Sequence, residues 1–84
     1  MKSFSYTVKD ELGIHARPAG ALVKEAAAFP CSITIAKDGK AADAKRIFGV
    51  MGLGVKCGEE ITVCTDGENE EAASAAIEAF LKAN

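Results

Sequence analysis

Apolar residues recur with two different periods along this chain, and the switches between them mark out its elements. In KSFSYTV (residues 2–8), Phe4, Tyr6 and Val8 alternate with Ser3, Ser5 and Thr7, a period of two that predicts a strand with one buried face. From Ala16 to about Phe29 the spacing becomes helical: Leu22, Val23, Ala26, Ala27 and Phe29 form one stripe, with Lys24 and Glu25 outside it. Pro18 suits such a helix only in its first turn, where its missing N–H is not needed. His15 or Ala16 therefore stands at the helix entrance, and Pro30 ends the helix.

CSITIAK (31–37) alternates again, with Ile33 and Ile35 inward. Asp38-Gly39 predicts a type I′ hairpin, whose two central residues both need positive φ, leading into a weak strand over 40–44. Residues 45–53 carry Ile47, Phe48, Val50, Met51 and Leu53 and read as a short helix, weakened by Gly49 and Gly52 and stopped by Gly54. EEITVCTD (59–66) is a strand with Ile61 and Val63 on one face. Asn69 is placed to cap a last helix, with Glu70 and Glu71 in its first turn and Lys82 in its last; Ala73, Ile77, Phe80 and Leu81 make its stripe. The order βαββαβα predicts an α+β domain: one antiparallel sheet with helices on one face buries all three helical stripes at once.

The chain has 84 residues, enough for a single domain (1–84) with a thin core. Ten basic and twelve acidic residues leave a net charge of −2, which provides no broad positive field for nucleic acid. The outer sheet face, with Ser3, Ser5, Thr7, Ser32, Thr34 and Thr62, lacks the aromatic and basic groups that stack and hold RNA. No apolar run has the length of a signal peptide core or a membrane span, so a cytoplasmic protein without membrane insertion is expected. Cys31, Cys57 and Cys64 are odd in number and form no CxxC pair, and there is one histidine. They are expected to be buried small hydrophobes, with no metal site and no cofactor.

The chemistry concentrates in GIHARPAG (13–20). A neutral imidazole is a nucleophile near pH 7, and the unpaired N–H groups and dipole at a helix N-terminus favour a phosphoryl dianion. Arg17 can present its fork of donors to phosphate oxygens, and Pro18 fixes the turn. A second feature is IFGVMGLGV (47–55), with more apolar bulk than one short helix buries; exposed Ile47, Phe48 or Met51 would mark a contact surface. There is no GxxxxGK[ST] loop, so a nucleotide-driven reaction by this chain alone is not expected.

Over essentially its whole length the chain resembles the HPr family, the histidine-containing phosphocarriers of the bacterial phosphoenolpyruvate-dependent sugar phosphotransferase system. GIHARPAG and KRIFGVMGLGV (45–55) carry the likeness at the family's separation, and the EITV strand and TDGENEEAA follow in register. The resemblance implies an open-faced β-sandwich, a four-stranded antiparallel sheet with three helices on one face. It also implies a carrier, not an enzyme, phosphorylated at Nδ1 of His15, with Arg17 and the backbone N–H groups of Ala16 and Arg17 stabilising the phosphoryl group; a monomer is the default expectation for the chain. By the same likeness Ile47, Phe48 and Met51, with Ala16, Gly20 and the rim residue Lys24, form one docking surface for the donor, enzyme I, and for acceptor enzyme II A domains.

Two positions depart from the family. Arg46 stands where the most similar HPr proteins have a serine phosphorylated by a dedicated kinase, so no regulatory phosphoserine is expected here. Gly20 stands where a larger residue such as Thr or Ala is common, which implies weaker side-chain contacts there. Two other functions remain open. One is a regulatory binding module that uses the same helix without phosphoryl chemistry, against which His15 and Arg17 argue. The other is the same chemistry in a nitrogen-related phosphorelay, although GVMGLGV resembles the sugar branch more closely.

Overall fold

The computed structural model describes residues 1–14 and 16–83. Its elements are β1 (Lys2–Thr7), α1 (Ala16–Ala27), β2 (Ser32–Lys37), β3 (Lys40–Asp43), α2 (Ile47–Gly52), β4 (Glu60–Asp66) and α3 (Glu70–Ala83). All strand pairs are antiparallel, in the order β1-β4-β2-β3. The last strand in sequence thus inserts between the first two, which carries both helical connections over the same face. Asp38 and Gly39, with φ of 50° and 81°, make the tight β2–β3 hairpin that the Asp-Gly pair predicts.

Register sets the two faces. Phe4 lies opposite Val63, Tyr6 opposite Ile61, and Ile35 opposite Val63, all toward the helices. Ser3 and Ser5 face outward beside Cys64 and Thr62. The inward residues of β2 and β4 meet Ala19, Leu22 and Ala26 of α1, Val50 of α2, and Ala73, Ile77 and Leu81 of α3 in one buried cluster. Each large aliphatic side chain buried there contributes roughly 1.5–3 kcal/mol. Three small alanines let the helices approach the sheet closely.

The inward alternation of β4 runs past Val63 to Thr65, which is completely buried. Its hydroxyl donates to the Glu70 carbonyl at 2.9 Å, so the buried polar group is satisfied and β4 is joined to the start of α3. At the other end of α3, the Tyr6 hydroxyl donates to the Leu81 carbonyl at 2.8 Å.

Several local expectations shift. Ala27 is exposed, and Ala19, about two turns nearer the start of α1, joins the buried stripe instead. The short helix begins at Ile47, not Lys45, because the Lys45 amide donates to the Asp43 carboxylate at 2.9 Å in a turn that precedes the helix. Asn69 does precede α3, and its carbonyl accepts from Ala73 N–H, but it does so at φ 62°. The side chain that ties this turn belongs to Glu70, which accepts from the Gly67 amide at 3.0 Å. Of the three cysteines only Cys31 is buried; Cys64 is half-buried on the outer sheet face and Cys57 is exposed.

Candidate functional site

The segment between β1 and α1 is built as a tight loop. The Asp10 carboxylate accepts from Leu12 N–H at 2.9 Å, and the Asp10 carbonyl accepts from Gly13 N–H, closing a turn. Gly13, at φ 68°, passes so near the 55–56 backbone that a β-carbon there would lie 2.2 Å from the Val55 carbonyl oxygen. Only glycine fits. One residue later the Ile14 amide donates to that same Val55 carbonyl at 3.0 Å, so the chain is held in place up to Ile14. His15, the candidate nucleophile, lies outside the described residues.

α1 opens immediately after it. Ala16, Arg17 and Pro18 form its first turn, which carries no acidic side chain. The amides of Ala16 and Arg17 are in the part of the helix where N–H groups have no intrahelical acceptor, and Pro18 needs none. Arg17 is exposed and has no ion-pair partner among the described residues, so its guanidinium is available to an anion. Beneath this turn lies a small, half-open apolar pocket lined by Tyr6, Ile14, Pro18, Leu22, Phe80 and Leu81.

α2 supplies the second part of the site. Val50 is fully buried and anchors the helix, which leaves Phe48 86% and Met51 38% exposed. Ile47 is partly buried against α1, where a β-carbon on Gly20 would meet its Cδ1 at 3.6 Å. An exposed phenylalanine beside a flexible thioether, on a helix packed against α1, is an adaptable apolar contact surface. Lys24 and Arg46 are exposed, on α1 and at the start of α2. Leu12, 73% exposed in the loop before α1, is a further apolar group that the pattern did not single out.

Arg46 occupies the N-cap position of α2 in extended backbone (φ −125°, ψ 114°) and makes no side-chain cap. Its Nε lies 3.8 Å from the Asp43 carboxylate, in an exposed pair that contributes little. Asp43 organises this helix start instead: its carboxylate takes the Lys45 amide and its carbonyl takes the Arg46 amide. Lys45 reaches across to donate to the Phe29 carbonyl at 2.7 Å, tying the end of α1 to the start of α2. At the other end of α2, Lys37 donates to the carbonyls of Leu53 and Gly54 and pairs with Glu59 at 2.9 Å. That ammonium, and then the Lys56 amide, hold the Glu59 carboxyl below its usual value. None of Lys37, Asp43, Lys45 or Glu59 announces such a role in the sequence, since each reads there as an ordinary surface charge.

The assembly is a small α+β domain whose sheet supports a loop and a helix start with donors suited to an anion, beside an exposed apolar patch. Residues 2–83 match the family described as the PTS HPr component phosphorylation site. The chain is 46% identical over 81 residues to the phosphocarrier protein HPr of Lysinibacillus sphaericus, covering 96% of this chain and 92% of that one. The crystal structure of HPr-C-His from Thermoanaerobacter tengcongensis superposes with a TM-score of 0.95 at 36% identity, over 99% of this chain and 93% of the other. A crystal structure of an HPr dimer from the same organism superposes at 0.79, again at 36% identity, over 99% and 95%. This chain therefore belongs to the HPr family of phosphocarrier proteins of the phosphotransferase system.

The family match agrees with the open-faced sandwich expected from the sequence, with its βαββαβα order and three helices on one face. Among the described residues no helix is long and apolar enough to cross a membrane.

Proposed function

We propose that the protein accepts a phosphoryl group on Nδ1 of His15 from enzyme I and donates it to an enzyme II A domain. The observation that carries this reading is one juxtaposition. The only histidine in the chain immediately precedes a helix start whose first amides have no intrahelical acceptor and whose Arg17 has no ion-pair partner among the described residues, and that helix packs against the one exposing Phe48. An in-line transfer between two side chains needs little covalent machinery from the carrier beyond positioning and charge stabilisation. Arg17 and the amides of Ala16 and Arg17 supply the charge stabilisation. Ile47, Phe48 and Met51, with Gly20 and Lys24 on α1, supply the docking surface for donor and acceptor in turn. A patch of this size suits complexes that form and release quickly. We take the working form to be a cytoplasmic monomer.

The test is incubation with enzyme I and labelled phosphoenolpyruvate. Acid-labile label in the parent and none in His15→Ala is the expected result, with Arg17→Gly slowing transfer more than it weakens docking. Absence of label in the parent would instead favour a binding module acting through the α2 surface alone. Because residue 46 is arginine, the kinase that phosphorylates the equivalent serine in related proteins should leave this chain unlabelled in the presence of ATP.

A further inference from the structure

The connection from α2 to β4, residues 53–59, touches both halves of the proposed site. Its Val55 carbonyl accepts the Ile14 amide at 3.0 Å, and its Gly58 amide donates to the Val8 carbonyl at 2.7 Å. The Glu59 carbonyl in turn accepts the Val8 amide at 3.0 Å, so the loop leading to His15 hangs on this connection at both ends. At its other end the connection is the C-terminus of α2, with the Leu53 and Gly54 amides bonded back to Val50 and Met51.

One side chain closes the connection on itself. Lys37, whose side chain is only 14% exposed, places its ammonium 3.3 Å from the Leu53 carbonyl, 3.0 Å from the Gly54 carbonyl and 2.9 Å from the Glu59 carboxylate. Three acceptors match the three N–H donors of a lysine. The same Glu59 oxygen also accepts the Lys56 amide at 2.7 Å, which folds the intervening turn. Lys37 sits at the last position of β2, next to the tight hairpin, so its backbone is a fixed anchor.

We infer that Lys37 is a positioning residue for phosphoryl transfer: by clamping the end of α2 to Glu59 it holds the 53–59 connection in the shape that fixes the loop up to Ile14 relative to the docking helix. The inference rests on the carrier reading given above. Lys37 touches neither the phosphoryl group nor a partner; it acts through Glu59 and the carbonyls of Leu53 and Gly54. Loss of the ammonium removes the donor shared by the Leu53 and Gly54 carbonyls and leaves the Glu59 carboxylate with the Lys56 amide alone, so the converging oxygens repel one another and the connection opens. The loop before His15 then loses its fixed register against α2, whereas Phe48, on the helix anchored by Val50, stays available for docking. The consequence falls on the transfer step more than on association.

Two readouts on Lys37→Met and Lys37→Arg test this. Amide hydrogen exchange on the unphosphorylated protein should accelerate at Val8, Ile14 and Gly58 in Lys37→Met, while amides of α3 keep their protection. Transfer from enzyme I should show kcat reduced roughly threefold to tenfold with KM within about twofold, as small misplacements of reacting groups produce. Lys37→Arg keeps the charge but not the three-way fit, and should lie between the two. Unchanged exchange at those three amides overturns the inference, and so does faster exchange with parental kcat. A parent protein that takes no label refutes the carrier reading and this inference with it. A labelled parent and an indistinguishable Lys37→Met refute the inference alone.

Discussion

Gly20→Ala should stabilise this protein, and the size of the gain can be worked out from the contact of α1 with α2. Gly20 lies inside α1, where glycine costs about 1 kcal/mol relative to alanine through its backbone freedom in the unfolded chain. A β-carbon at this position meets only the Cδ1 of Ile47, at 3.6 Å, an ordinary van der Waals contact requiring no rearrangement. Partial burial of that methyl adds a few tenths of a kcal/mol, up to about 0.5. The expected gain is thus about 1–1.5 kcal/mol, equivalent to roughly 5–10 °C in Tm for a domain of this size. Urea unfolding of parent and variant measures it: the midpoint should rise while the m value stays the same. Gly13→Ala is the matched control. There the new β-carbon would stand 2.2 Å from a backbone oxygen at φ 68°, so a loss of about 3 kcal/mol or more is expected. A Gly20→Ala midpoint at or below that of the parent would show that α1 and α2 do not meet in this way.

Three further outcomes follow from individual groups. Phe48→Ala should leave stability within about 0.5 kcal/mol of the parent, because the ring is 86% exposed, yet weaken binding to enzyme I about tenfold or more by titration calorimetry. Arg46→Ser should stabilise by about 0.5–1 kcal/mol in the same urea assay, since the N-cap backbone is already extended and arginine makes no cap there. Glu59 has a folded-state pKa depressed below 4.5, so its contribution is complete above that value and is lost as pH falls through the folded-state pKa. The stability gap between parent and Glu59→Gln, followed by urea unfolding across pH, should therefore be level near neutrality and narrow below pH 4.5. A gap that widens with acid would contradict the Lys37–Glu59 pairing.

Element type and order were legible from periodicity because both are local. Ser–Phe–Ser–Tyr–Thr can bury Phe4 and Tyr6 together only as a strand, and the stripe through Leu22 and Ala26 only as a helix. The boundaries were less legible where side chains compete for backbone groups. Asp43 takes the Lys45 amide and delays α2 by two residues, and the Glu70 carboxylate, with the Asn69 backbone left-handed, organises the start of α3. Cys57 shows the same limit: its neighbours do not reveal that the loop carrying it lies at the surface, with its Sγ 3.6 Å from the Lys9 carbonyl.

On its own, the sequence determined that Ala-Arg-Pro, directly after the lone histidine, begins a helix, and that an Asp-Gly hairpin joins two strands whose apolar residues point one way. Periodicity and turn chemistry act within a few residues, so no partner elsewhere in the chain is needed to read them. Only the tertiary structure decided that Phe48 lies outside the core while Val50 fills it, that Gly13 abuts the Val55 carbonyl, and that Lys37 reaches three acceptors across the end of α2. Those are meetings between segments distant in sequence, set by how the helices settle on the sheet, and a charged or apolar residue reads the same in the chain whichever outcome awaits it.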